Sequence, residues 1–85
     1  MAPADTSDEN GQEALGRALR GLRQRSGITQ EELGVRIGID PTYISRVEGG
    51  RINLRWGTLQ RFLQALDATI ADLAAEIERP DQPRS

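Results

Sequence analysis

The 85-residue sequence contains no cysteine, no histidine and no lysine. Without cysteine the chain has no disulfide framework and no thiol chemistry. A zinc site would need carboxylate ligands alone, although proteins usually build such sites from cysteine and histidine. No serine or carboxylate pair has a recognisable activating neighbour, so catalysis is not expected. We therefore predict a protein that is not an enzyme and uses no metal, no cofactor and no small-molecule ligand.

Long apolar runs are also missing from the sequence. No segment approaches the length of a membrane span, and the N-terminus lacks the apolar core of a signal peptide. We expect a cytoplasmic protein with no membrane contact. The length predicts one domain, and a chain of this size buries only about 60% of the surface that its unfolded form exposes. Oligomerisation would therefore add stability.

The net charge of −2 is unevenly distributed along the chain. Residues 1–13 carry four acidic residues and no arginine, and residues 67–85 carry five acidic residues and two arginines. Residues 14–66 carry nine arginines against four acidic residues. A basic middle segment is typical of a surface that binds nucleic acid, although ordinary solvated arginine is the alternative. The acidic ends should weaken non-specific binding by repelling phosphates.

Two short helices and a tight turn are predicted over residues 29–51. Thr29 and Glu32 form a capping-box pattern at the start of the first helix. Gly38 can end that helix with a positive φ, and Asp40 can cap the next helix, which then begins at Pro41. Such a short connection makes the two helices cross steeply, which is the helix-turn-helix geometry.

Apolar spacing predicts three further helices around this pair. The first runs from about Glu13 to Ser26, with its arginines on the face away from the core, and the fourth from about Arg55 to Leu66. The fifth is capped by Thr69. The predicted domain covers residues 13–78, between an acidic disordered tail at 1–12 and a second disordered tail at 79–85.

The stretch from residue 29 to residue 51 resembles the helix-turn-helix of the phage-repressor and Cro family, also called the xenobiotic-response-element type. The family's signature positions are matched by Gln30, Leu33, Gly38, Ile44, Val47 and Glu48. The resemblance covers roughly residues 15–73 and implies a compact all-α, five-helix, lambda-repressor-like DNA-binding domain. The Asn53-Leu54 pair, the segment at residues 42–45 and the small size also resemble the controller proteins of restriction–modification systems. These are homodimers that bind operator DNA.

Candidate contacts to DNA bases lie on the second helix of the motif, which begins at Pro41. The resemblance implies that this helix is the recognition helix. Its outward face carries Thr42, Ser45 and Arg46, opposite the apolar positions. Arg46 is the strongest candidate, because a guanidinium can bind guanine O6 and N7 together. Pro41 lies at the helix N-terminus, which the family points into the major groove. A surface salt bridge for Arg46 and plain solvent exposure for Thr42 are the alternatives.

Candidate contacts to the DNA backbone surround that helix. The resemblance implies that Gln30 contacts phosphate and braces the recognition helix. The hydroxyl of Tyr43 can reach phosphate, and a purely structural role for Tyr43 is the alternative. Arg51 follows the recognition helix, and Arg36 and Arg55 are weaker candidates.

A homodimer is predicted, because one recognition helix reads too few base pairs for genomic specificity. The candidate interface consists of Trp56, Ile70, Leu73, Ala74 and Ile77. Ile70 and Leu73 are also expected to close the core, and Ile77 could instead fold back on the first helix.

The leading functional hypothesis is a sequence-specific regulator that binds a palindromic site in double-stranded DNA. The alternative is an antitoxin or a coactivator-type protein-interaction module of the same fold. A DNA-binding regulator should gather Gln30, Thr42, Arg46 and Arg51 on one exposed positive face, whereas a coactivator need not.

Overall fold

The computed structural model describes residues 4–79, which form five α-helices and no strand. The helices are α1 (Ala4–Ser26), α2 (Gln30–Ile37), α3 (Pro41–Glu48), α4 (Trp56–Ala65) and α5 (Ile70–Glu78). The prediction of an all-α, five-helix domain is confirmed. None of the helices in residues 4–79 has the length and apolar character that crossing a membrane would need.

Local side-chain chemistry fixes the ends of α2 and α3. The hydroxyl of Thr29 accepts from the Glu32 N–H at 3.0 Å, and the Glu32 carboxylate accepts from the Thr29 N–H at 2.8 Å. Gly38 ends α2 in the left-handed conformation, with φ of 82°. Asp40 accepts from the N–H of Thr42 at 2.8 Å and so caps α3. These contacts confirm the predicted helix-turn-helix boundaries.

The first helix begins at Ala4, not near Glu13 as predicted from the apolar spacing. Apolar periodicity detects only the part of a helix that packs on a core. Extending an existing helix costs far less than nucleating one, so polar residues can continue α1 towards the N-terminus. The predicted disordered tail at 1–12 therefore differs from the helix that the structure shows over residues 4–12. Residues 1–3 and 80–85 lie outside the described residues.

One apolar cluster draws on all five helices. Leu33 and Ile37 of α2 share it with Ile44 and Val47 of α3, as the spacing predicted. Its remaining members are Ala18, Leu19, Leu22, Leu59, Phe62, Leu63, Leu66 and Leu73. Because both helices of the motif bury one face in this cluster, the opposite face of α3 is left free.

The turn between α2 and α3 is unusually close. A Cβ at Gly34 would lie 2.5 Å from the carbonyl oxygen of Ile39, so even alanine would force a shift. The carbonyl oxygen of Gly34 accepts from the N–H groups of both Gly38 and Ile39, at 2.7 and 2.9 Å. Glycine at this position lets the turn fold directly against α2.

Two arginines tie α2 to α4 reciprocally. Arg61 of α4 donates to the carbonyl oxygen of Ile37 at 2.6 Å, and Arg36 of α2 donates to that of Ala65 at 3.0 Å. Each guanidinium therefore satisfies a carbonyl at the C-terminus of the other helix, where cations are favoured.

The fifth helix only partly matches the prediction. The capping box of Thr69 and Asp72 is confirmed, and Leu73 is buried. Ile70, predicted to help close the core, is 48% exposed. It is the first residue of α5, one turn before Leu73, where the helix reaches the core. Asp67 joins α4 to α5 in the left-handed conformation, with φ of 55°.

Candidate nucleic-acid interface

The outward face of α3 is polar and accessible. Thr42, Ser45 and Arg46 are exposed, while Ile44 and Val47 on the other side of the helix are buried. Pro41 is half-buried at the first position of the helix. The four predicted base-contacting residues thus lie on a single helix whose inner face is fixed by the core.

The C-terminal end of α3 is held by a buried ion pair that was not predicted from the sequence. The Arg23 Nε donates to Glu48 Oε2 at 2.7 Å, and its Nη2 donates to Glu48 Oε1 at 3.0 Å. A third donor, Nη1, reaches the carbonyl oxygen of Ile28 at 2.9 Å. Such a bidentate geometry satisfies both charges away from water. It joins the end of α1 to the end of α3.

Arg23 was predicted to lie on the solvent side of α1, and that prediction is wrong. Its side chain is 11% exposed and that of Glu48 is 4% exposed. The hydrogen bonds that Arg23 donates to the Glu48 carboxylate raise the pKa of Arg23 above its ordinary value, against the opposing effect of burial. The guanidinium therefore stays charged throughout the neutral range. One signal could have located the pair, because Glu48 shares the buried stripe of Ile44 and Val47.

Gln30 belongs to the same network. Its amide nitrogen donates to Glu48 Oε1 at 2.9 Å, across the two helices of the motif. This hydrogen bond joins the first residue of α2 to the last residue of α3. The amide keeps a second N–H, and Gln30 is the first residue of α2, where backbone N–H groups are also free. The combination provides donors suited to a phosphate oxygen.

Residues 12–16 of α1 pack against the end of α3 and the loop that follows it. The amide of Gln12 donates to the carbonyl oxygen of Gly50 at 3.2 Å. Gly50 has φ of 76°, and a Cβ there would lie 2.9 Å from the Cα of Glu13. A Cβ at Gly16 would overlap the carbonyl oxygen of Val47. Small residues thus bring α1 close to the C-terminal end of α3 and fix the start of the loop that carries Arg51.

Arg51 continues directly from the recognition helix. It is exposed, and its N–H donates to the carbonyl oxygen of Arg46 at 2.9 Å. The Gln30 side chain is bound to Glu48, less than one turn before Arg51. The structure therefore places Gln30, Arg46 and Arg51 around one end of α3, with Thr42 at the other end of its exposed face.

The remaining backbone candidates are more scattered. Tyr43 is half-buried and packs on the core, which is the contact expected of a structural role. Arg55 is exposed at the N-cap of α4. Arg36 is committed to the carbonyl oxygen of Ala65, on α4. The structure does not bring Arg36 to the exposed face of α3, because its fork already satisfies the end of another helix.

A second exposed surface lies on α4 and α5. Trp56 is 58% exposed, Ile70 48% and Ile77 40%, and Ala74 is also exposed. Leu73, predicted for the dimer interface, is instead buried in the protein's own core. Ile77 leaves 40% of its surface exposed, and the preceding residue, Glu76, contacts α1 through a 3.1 Å ion pair with Arg25.

The architecture and this interface define a helix-turn-helix protein, in which one short helix presents a polar face beside exposed arginines. Comparison with known proteins agrees: the model of the family described as "Helix-turn-helix domain" matches residues 14–76. The chain belongs to this family.

Similar proteins include regulators and control proteins. Control protein C.MunI of a Mycoplasma species is 31% identical over 76% of this chain and 89% of its own length. ClgR, the clp gene regulator of C. glutamicum, is 38% identical with a TM-score of 0.74, over 78% of this chain and 85% of that structure.

A third similar structure is the restriction–modification controller protein C.Esp1396I, solved as a tetramer with its 35 base-pair operator. It is 27% identical with a TM-score of 0.70, over 78% of this chain and 92% of that one. The transcriptional regulator PuuR of Escherichia coli is 28% identical over 84% of this chain, which spans only 38% of the length of PuuR. By their names, these relatives are regulators or control proteins.

Proposed function

We propose that this chain is a sequence-specific regulator of transcription that binds double-stranded DNA as a homodimer on a palindromic operator. The observation that carries the proposal is the exposed face of α3, with Arg46 in its last turn, supported on the inner side by a fully paired polar network. A recognition helix needs one face for base edges and a second that fixes its orientation. Family membership supports the same conclusion.

The arrangement separates reading from positioning. Arg46 offers a forked donor for a guanine, and Thr42 and Ser45 offer hydroxyl groups that can donate or accept. Gln30 and Arg51, at the end of the helix, supply donors suited to phosphate. Asp40 would repel a phosphate, but its carboxylate is committed to the cap of α3.

Control of restriction–modification genes is the more specific form of this proposal. It is supported by the likeness to C.MunI and to C.Esp1396I, both of which this chain matches over about nine-tenths of their lengths. The Asn53-Leu54 pair, noted in the sequence, points the same way.

The proposal is tested by selecting binding sites from random duplex DNA with the whole chain. We expect an enriched palindrome with half-sites about 10 base pairs apart, or a multiple of that spacing. The Arg46→Ala protein should enrich a related palindrome with relaxed preference at one base position of each half-site, and the Glu48→Ala protein should enrich the site less strongly. Enrichment of no sequence at low salt would overturn sequence-specific binding and favour a protein-interaction module.

Dimer formation is tested with Ile77→Asp. A charge in the exposed apolar surface of α5 should prevent association without unfolding the domain, because Ile77 contributes little to the core. Sedimentation at micromolar concentration should show a dimer for the wild type and a monomer for the variant, with much weaker operator binding. Val35→Asp is the matched control, since Val35 is 83% exposed on α2 and far along the chain from α5. A wild-type monomer that binds its operator in one non-cooperative step would end the dimer proposal.

A further inference from the structure

An exposed tryptophan and an open groove lie on the same side of α4. The groove, of about 210 Å³, opens where α4 meets α5. Its lining residues are Gln60, Leu63, Gln64, Ala68, Thr69 and Ile70. Trp56 is not among them and leaves 58% of its surface in water.

Helix geometry relates the two features. Gln60 and Leu63 follow Trp56 by four and seven residues, so all three lie on one face of α4. Gln64 follows by eight residues, which is about 12 Å along the helix axis. A bulky apolar side chain and a recess therefore lie along a single helix face, and Trp56 does not line the recess of its own chain.

We propose that the α4 helices of two copies pair antiparallel about a two-fold axis at Gln60, with Trp56 of each copy in the groove of the other. The inference rests on the proposed homodimer and names its central contact. A two-fold axis at residue 60 sets residue 56 of one copy opposite residue 64 of the other, because equal steps from the axis must match. Gln64 lines the groove, so the register places the indole at the recess.

The chemistry of the surface suits a second copy of the chain. Trp56 and all six groove residues are uncharged, so two identical faces meet without like-charge repulsion. Leu63 and Ile70 provide the apolar floor that an indole needs, while the glutamine and threonine side chains form a polar rim. The exposed Ile77 extends the same apolar surface along α5.

The first test is a cysteine at the axis, Gln60→Cys. The chain has no other cysteine, so a bridge can form only between residue 60 of two copies. A disulfide needs Cα atoms within about 7 Å, which the proposed axis provides. We expect most of the protein to become a covalent dimer under mild oxidation, with Trp56 left in place. Gln24→Cys, an exposed glutamine on α1, should remain uncrosslinked.

The second test uses Trp56 as the chain's single tryptophan. Acrylamide quenching of its fluorescence should fall several-fold when the protein is concentrated from a monomer to a dimer. Gln64→Arg puts charge and bulk into the groove, so it should remove this protection and weaken association at least ten-fold. Circular dichroism of each variant shows whether the helices are intact.

Three results would overturn the pairing. A wild-type dimer with no crosslink at residue 60 and no protection of Trp56 would place the interface elsewhere and leave the proposed regulator standing. Crosslinking by Gln24→Cys as efficient as that by Gln60→Cys would show collision and not a fixed register. A protein that stays monomeric at every concentration would overturn both the pairing and the homodimer.

Discussion

Two regions of the molecule differ in how their side chains meet water. The inner side of α3 buries charged side chains, whereas the outer side of α4 and α5 exposes apolar ones. Beneath α3, Arg23 and Glu48 leave water and are fully paired within the chain. On α4 and α5, Trp56, Ile70 and Ile77 are apolar and remain in water. Within the described residues, no buried side-chain nitrogen or oxygen lacks a hydrogen-bond partner.

The contrast follows from the different free-energy costs of an unpaired buried charge and an exposed apolar side chain. A buried charge without a partner is strongly destabilising, so a polar network must be complete in the single chain. An exposed apolar side chain costs little in the monomer and gains stability only when a partner covers it. The domain therefore completes the support of its recognition helix alone and leaves its proposed interface open.

Breaking the buried ion pair beneath α3 should have the largest effect on stability. Glu48→Ala leaves Arg23 buried without its partner and frees Gln30, and we expect a loss of about 3–5 kcal/mol in the free energy of unfolding. Urea denaturation measures it. The double variant Arg23→Met with Glu48→Met should recover most of that stability, because apolar residues of similar volume can replace a buried ion pair. It should still bind the operator weakly, since Gln30 is no longer held. A stable Glu48→Ala protein would show that the pair contributes little.

The exposed face of the same helix should show the opposite pattern. Arg46→Ala should leave the free energy of unfolding unchanged, because its side chain is exposed. It should cost about 1–3 kcal/mol of binding on the cognate operator and relax the preference at one base position. Binding to the operator and to single-base variants measures both effects. Equal losses on every sequence would make Arg46 a phosphate contact.

Arg51 tests the end of the recognition helix with a smaller effect. Arg51→Ala should weaken binding to all sequences nearly alike and lower the salt slope of the binding constant by about 1. Titrations at several salt concentrations give the slope. Arg79→Ala, at the end of α5, is the control for a general loss of positive charge. An unchanged slope for Arg51→Ala would remove Arg51 from the interface.

The smallest expected change in stability comes from a substitution in the link between α4 and α5. Asp67 has a positive φ, which strains a residue that carries a Cβ. Asp67→Gly should raise the free energy of unfolding by up to about 1 kcal/mol, after the entropy that glycine adds to the unfolded chain. Asp67→Ala keeps the strain without the polar side chain and should lower stability. Thermal unfolding of both variants decides between these directions, and a destabilised Asp67→Gly would contradict the strain argument.

Much of the fold could be predicted because its boundaries are local. Thr29 bonds to Glu32 and Asp40 to Thr42, so their roles depend on residues two or three positions away. The exposed face of α3 followed equally from the spacing of Ile44 and Val47. The N-terminal limit of α1 could not be found in this way, because its first residues carry no apolar stripe.

Less of the candidate site could be predicted, because the sequence around a charged residue does not show which distant residue it will contact. Arg23 is one of several arginines along α1, and only the arrival of Glu48 from α3 distinguishes it. Arg36 likewise resembles a DNA contact until α4 brings the carbonyl oxygen of Ala65 to it. Both interactions join residues at least 25 positions apart, beyond the reach of any local pattern.

The sequence by itself determined where most helices begin and end and which face of each is apolar, since caps, glycines and periodicity act within a few residues. Only the tertiary structure decided which apolar face finds a neighbour. Leu73 found one in the core, whereas Ile70 and Ile77 on the same helix did not. It also decided which charges are buried, because the environment of Arg23 and Glu48 exists only when distant helices meet. Packing is a property of several segments at once, and a single segment cannot encode what will stand opposite it.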